Sequence, residues 1–278
     1  MTMRFVFKVL FPPLLFLSVA QSRLTPSSAA LFLSMGVSSM LLAVVASASL
    51  RLFIKDNPIT HASVFQCGFR FNTYIGFSIC LQLFDQTGFA LLALLIAFWV
   101  PISNTIAVSV LASAVAKAEG GAVGKKHSVF KTIVTNPLII ATVLGLAWNV
   151  TGWTIPTVPA VFLKHLGSAS LAMGLLCIGA GLRLQAFRGH GALIVASTIE
   201  RLMVVPAIAW GMGAVFSLSS VQAGVLLLFA ALPTAQSCYV MTATMRGDAA
   251  SVAGVTTAQT SAAMATLPVW TALIQSLT

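Results

Sequence analysis

An uncharged stretch runs from Gln86 to Ala116, with "FALLALLIAFWV" near its start. An apolar run of about 20 residues is what a helix needs to cross the hydrocarbon core of a bilayer. Only 7% of the 278 residues are charged and 58% are hydrophobic. Soluble domains carry about 25% charged residues, so a soluble fold is excluded. Within lipid every backbone N–H and C=O must find a partner inside the protein, which leaves helices as the means of crossing. The expected class is therefore an all-α polytopic membrane protein. Apolar segments fall at approximately 5–22, 31–54, 65–84, 88–114, 131–150, 159–182, 191–216, 222–244 and 249–276, about nine spans. No stretch between them is long enough for a soluble domain.

The net charge of +10 does not point to nucleic acid, because the basic residues sit in short loops between spans. Arg4, Lys8, Arg51, Lys55, Lys117, Lys125, Lys126, Lys131, Arg183, Arg188 and Arg246 fall at the N-terminus and in every second loop after it. The alternate loops hold Arg23, with Lys164 just inside the sixth span. That asymmetry predicts a multi-pass protein of the plasma or inner membrane, with its N-terminus cytoplasmic and its C-terminus external. Arg4 and Lys8, an apolar core and "SVA" at Ser18 to Ala20 also fit a secretory signal. Pro12 and Pro13 inside that core favour a retained helix.

Two segments carry polar residues where a span is ordinarily apolar. The third reads "FQCGFRFNTYIGFSICLQLFD" and holds Arg70, Asn72, Thr73 and Gly76. The eighth reads "ALPTAQSCYVMTATMRGD" and holds Pro233, Thr234, Gln236 and Ser237. Each leads through an Asp, Asp85 or Asp248, into a long helix. Both aspartates are expected to cap those helices. The eighth segment is five places after the third, an odd offset, so the two cross in opposite directions, as in inverted-repeat transporters whose interrupted helices meet near the midplane. The expected halves are 1–116, short of its opening helix, and 131–278, joined by a cytoplasmic loop at 117–130. A break frees backbone groups that lipid cannot satisfy, so "PTAQS" is expected to line a protein-enclosed ligand site. A plain proline kink, with Ser and Thr bonding back to the helix, is the competing account.

Several pieces resemble the auxin efflux carrier family of permeases. They are "FRFNTYIGF" from Phe69, "VPISN" from Val100, "NPLIIATVLGL" from Asn136, "LGSASLAMGLLCIGAGL" from Leu166, "RLMVVP" from Arg201, and the eighth segment. The likeness covers the chain and is strongest from Asn136 onward. It implies two five-helix inverted repeats with crossing discontinuous helices, similar to the bile-acid sodium symporter fold, and an organic anion held at the crossing. This chain supplies five spans in its second half and four in its first. Its first interrupted segment has no proline, so the break there is expected to rely on Gly76.

The expected function is a secondary active transporter of a small organic anion, a mono- or dicarboxylate, coupled to H⁺ or Na⁺. Asn72, Thr73, Gly76, Pro233, Thr234, Gln236 and Ser237 are the substrate-binding candidates. Gln236 leads them because its reach and amide suit an anion. Glu200 and Arg201 lie inside the seventh span, where charges are functional suspects. They are candidates for ion coupling or for a mutual charge pair, with Arg70 as a further partner for the substrate. No nucleophile motif, phosphate loop or metal-ligand spacing occurs, so no catalytic residue, metal or cofactor is expected. The four cysteines have no paired spacing, and His61, His127, His165 and His190 read as solvated positions near loops. The partners expected are the substrate anion and the bilayer, with a homodimer as the assembly to test. A passive channel and a transport-inactive or truncated signalling protein are the rival functions.

Overall fold

The computed structural model describes residues 9–21, 26–84, 86–118, 137–180 and 190–277, and among them every regular element is helical. The helices are α1 (Phe11–Ala20), α2 (Pro26–Phe53), α3 (Pro58–Phe65), α4 (Thr73–Leu83), α5 (Gln86–Ala118), α6 (Pro137–Thr151) and α7 (Thr157–Ala180). They continue with α8 (Gly191–Ile199), α9 (Val205–Val215), α10 (Ser220–Ala231), α11 (Ser237–Thr244) and α12 (Ala249–Leu277). A 3₁₀ turn, Gln66–Gly68, follows α3, and a π-helical turn, Glu200–Val204, joins α8 to α9. Ala30–Phe53, Gln86–Ala118 and Gly191–Val215 are long and apolar enough to cross a membrane by length and composition.

Two compact units interleave along the chain. One comprises Met1–Ser34, Thr73–Pro101 and Ser128–Gly181. In it α1 packs on α6 and α7, and α4 packs on α7. Small residues set the approach. A Cβ on Gly145 would sit 2.8 Å from the Phe16 carbonyl oxygen, and one on Gly167 would sit 2.6 Å from the Leu14 Cβ. Without a water-driven force between helices in lipid, such close backbone contact is what holds them together. Asn149 Nδ2 donates to the Ala20 carbonyl at 3.1 Å, and so satisfies an acceptor at the end of α1.

The other unit comprises Met35–Asn72, Ile102–His127 and Leu182–Thr278. Here α12 packs against α3, α8, α10 and α11. Val64, Cys67, Leu193, Ile194, Cys238, Val252 and Val255 form one of its buried clusters. The π-helical turn has a local cause. Pro206 has no N–H for the carbonyl four residues earlier, that of Leu202. The indole Nε1 of Trp270 donates to that carbonyl instead, at 2.9 Å.

The third apolar segment differs from its sequence reading. Helix begins at Pro58, ahead of the expected start at 65, because Asn57 caps it by accepting from the Ile59 N–H at 2.9 Å. The interruption lies at Phe69–Asn72, and Gly76 stands inside α4. The break therefore does not rely on Gly76. Gly68 is the glycine the geometry needs, since a Cβ there would lie 2.5 Å from Glu200 Oε1 and would overlap the Ser47 hydroxyl.

Candidate functional site

The eighth segment is broken where its proline stands. A capping box starts α10: Gln222 N–H donates to Ser219 Oγ at 3.4 Å, and Ser219 N–H donates to Gln222 Oε1 at 3.3 Å. The residue before a proline is pushed out of the helical region, and Leu232 takes φ −66° and ψ 139°. Helix resumes at Ser237. The two interruptions touch, because the Asn72 N–H donates to the Pro233 carbonyl at 2.8 Å. Phe71 packs on Phe229 beside that bond, with ring centroids 4.4 Å apart.

The opened backbone is paired by side chains. Thr234 N–H donates to Gln259 Oε1 at 3.0 Å, and Gln259 Nε2 donates to the Ser197 carbonyl at 3.1 Å. Thr234 is fully buried, with its hydroxyl 3.3 Å from Cys238 Sγ. Arg201 completes the pairing. Its Nε donates to the Leu232 carbonyl at 2.7 Å, one terminal nitrogen to Gly68 at 3.1 Å and the other to Phe229 at 3.3 Å. A guanidinium thus serves carbonyls at the ends of both interrupted segments, where helix dipoles concentrate negative potential.

Glu200 turns elsewhere. Ser47 Oγ donates to its Oε1 at 2.5 Å, while Oε2 is buried with no hydrogen-bond partner among the described residues. No hydrogen bond joins Glu200 to Arg201 among the described residues; each is bonded to different partners. The Glu200 carboxyl is buried, and Gly68 leaves it room where a Cβ would crowd Oε1.

Arg70 is buried, with 9% of its surface exposed. One terminal nitrogen donates to Gln66 Oε1 at 2.6 Å and approaches Met241 Sδ at 3.5 Å. The other donates to Ser237 Oγ at 2.9 Å, across to the second interrupted segment. Among the described residues no carboxylate pairs with it. Gln66 is held in turn by Thr242, with Nε2 donating to its hydroxyl at 2.9 Å. A cation is therefore presented at the meeting of the two breaks with neutral acceptors only.

The sequence-chosen residues thus divide. Arg70, Asn72, Pro233 and Ser237 come together around the breaks, and Gln236 stands half-buried as the residue before α11. Thr234 is engaged in holding the backbone. Thr73 opens α4 and Gly76 follows within it, both in the other unit. Gln66, Gln259, Ser47 and Ser197 were not singled out from sequence. The two amides carried a readable signal, since a glutamine inside a span must find a partner.

Outside the spans, Asp248 caps α12, with Oδ1 accepting from the Ser251 N–H at 3.0 Å. Oδ2 accepts from the Ser251 hydroxyl at 2.7 Å and from Thr60 Oγ1 at 2.9 Å. Burial would raise its pKa, but these bonds and the nearby His190 outweigh that and hold the carboxyl below the usual aspartate value. Asp56 is likewise lowered: burial works against ionisation, and the Asn57 N–H and His190 more than offset it. Two histidines depart from the solvated reading, while His165 is exposed as expected. His190 Nδ1 lies 2.7 Å from Asp56 and its Nε2 3.8 Å from Asp248, while buried His61 places Nε2 2.7 Å from the Ile54 carbonyl. Asp85 and His127 lie outside the described residues.

A family model described as "Membrane transport protein" matches residues 2–271. An uncharacterized transporter from Methanocaldococcus jannaschii is 22% identical over 171 residues, which is 60% of this chain. The chain spans about half the length of that curated relative, 53%.

Proposed function

Because the chain belongs to the membrane transport protein family, the auxin efflux carriers, we propose that it is a secondary active transporter of a small organic anion held where its two interrupted helices meet. The observation that carries this reading is Arg70: a buried guanidinium bonded to Gln66 and Ser237 with no carboxylate partner among the described residues. A buried charge is costly unless it is paired. A substrate carboxylate supplies the missing charge and can exchange for Ser237 as acceptor. The Asn72 and Gln236 amides stand on the two interrupted segments to complete its shell. Arg201, Thr234 and Gln259 keep the breaks open without needing to touch substrate.

Coupling is assigned to Glu200. Its unpartnered oxygen suits a proton that is taken up on one side and released on the other, with Ser47 following the change as donor or acceptor. A halves-related inverted repeat, 1–116 against 131–278, is the architecture in which such a site alternates its exposure.

The test is counterflow in proteoliposomes against a panel of labelled mono- and dicarboxylates. A carrier shows trans-stimulated exchange of at least one, and Arg70→Gln weakens its binding roughly ten- to a hundredfold, the worth of a charged hydrogen bond of about 1.5–3 kcal/mol. Uptake without trans-stimulation would make the protein a pore. Wild-type affinity in Arg70→Gln would move the anion away from the breaks. A Na⁺ gradient that drives accumulation where a pH gradient does not would remove the proton from Glu200.

A further inference from the structure

We propose that the cavity beside Ser47 is a second chamber that binds an organic carboxylate through Arg51 and Lys117, apart from the meeting point of the two breaks. This rests on the organic-anion reading above. The cavity measures about 570 Å³ and lies within one unit, between the end of α2, all of α3 and the end of α5. That volume suits a small organic molecule. Its charged lining residues are Arg51 and Lys117, with Asn57, His61 and Ser113 adding polar groups, and among the described residues no Asp or Glu lines it. The rest of the wall is largely apolar, Phe65 and Val110 among it. Cations over an apolar wall fit an anion with a hydrocarbon body better than a fully hydrated ion, whose shell that wall cannot replace.

A simpler account exists for each cation alone. Arg51 and Lys117 stand in the last turns of their helices, where they offset the dipole and mark the side of the membrane. That account does not require both to face one hollow. It also leaves Ser47 unexplained. Ser47 lines this cavity and is the donor to Glu200 Oε1. Its single hydroxyl proton can serve the buried carboxyl or an anion in the chamber, and not both at once. Occupancy of the chamber is thereby linked to the group assigned to coupling.

The experiment places a cysteine in the chamber wall, Ser113→Cys, in the full chain reconstituted into phosphatidylcholine nanodiscs. The unsubstituted protein serves as background for the native thiols. Both faces are accessible in a disc, so altered insertion cannot mimic the result. A sulfonate-bearing thiosulfonate reagent should label Ser113→Cys about tenfold faster than its trimethylammonium analogue, through local attraction. Benzoate should slow that labelling and succinate should slow it less. Adding R51Q and K117Q should erase both the bias and the protection, while R51K with K117R should retain them. Thermal unfolding of each variant excludes a folding defect.

Equal rates for the two reagents would overturn the chamber, as would benzoate protection that persists in the R51Q/K117Q variant. Protection that requires anionic lipid in the disc, with benzoate inert, would overturn it in favour of a lipid headgroup. Counterflow separates this inference from the transport reading. Carboxylate exchange with no protection of Ser113→Cys sinks the chamber alone. Protection without exchange of any carboxylate sinks the transport reading and leaves the chamber standing.

Discussion

Glu200 and Arg201 are neighbours with different tasks, because successive residues on a helix point in different directions around its axis. Arg201 faces the breaks and serves carbonyls of Leu232, Gly68 and Phe229; Glu200 faces Ser47. Arg201→Gln should therefore be a stability variant, with a loss of at least about 3 kcal/mol as buried carbonyls lose charged donors. Glu200→Gln should instead fold normally, retain exchange and lose uphill accumulation. Thermal unfolding in detergent, paired with counterflow and gradient-driven uptake, reads both. An unchanged melting temperature in Arg201→Gln would show that the carbonyls have other partners. Unaltered pH dependence of uptake in Glu200→Gln would take that residue out of the coupling step.

At the scale of the elements, Pro233 and Gly68 show which breaks a sequence can reveal. Pro233 acts through its own ring, forcing Leu232 out of the helix, so the end of α10 was legible from local chemistry. Gly68 acts through tertiary contact with Ser47 and Glu200, residues far away in sequence, and Gly76 was chosen in its place. Arg70 was legible as a misplaced charge, while its partners Gln66 and Ser237 depended on how the segments meet. Gly68→Ala should destabilise the protein by about 1–3 kcal/mol, the usual result of overpacking. Gly211→Ala is the control: nothing lies near its added Cβ, and better helix propensity should stabilise α9 by up to about 1 kcal/mol. Equal effects from the two would remove the close contact at Gly68. The Asp248 cap gives a pH signature. Its carboxyl titrates below the usual value, so its contribution is full above about pH 4 and fades as pH falls through its lowered folded value. Asp248→Asn should lower the melting temperature at pH 7 and flatten the acid limb. A limb as steep as wild type would assign acid sensitivity to other carboxyls.

For the whole molecule the question is which loops share a side. The charge pattern groups the loops after α2, before α8 and after α11, and these supply Asp56, His190 and Asp248, which meet within one unit. Loops that approach this closely belong to one face, as the alternation of Lys and Arg requires. Which face that is follows from the positive-inside rule alone, and it is the expectation most exposed to test. Ala118, beside Lys117 at the exposed end of α5, is expected in the cytoplasm, and Ser276, near the exposed end of α12, outside. In intact cells a membrane-impermeant thiol reagent should label Ser276→Cys and spare Ala118→Cys until the membrane is permeabilised. The unsubstituted protein sets the background, and among its thiols Cys67, Cys80 and Cys238 are buried. The reverse pattern would invert the orientation and put the chamber at Arg51 and Lys117 on the outer face, where it would receive anions arriving from outside. Labelling of both sites in sealed cells would mean that the two ends lie on one side, so that an even number of crossings separates them.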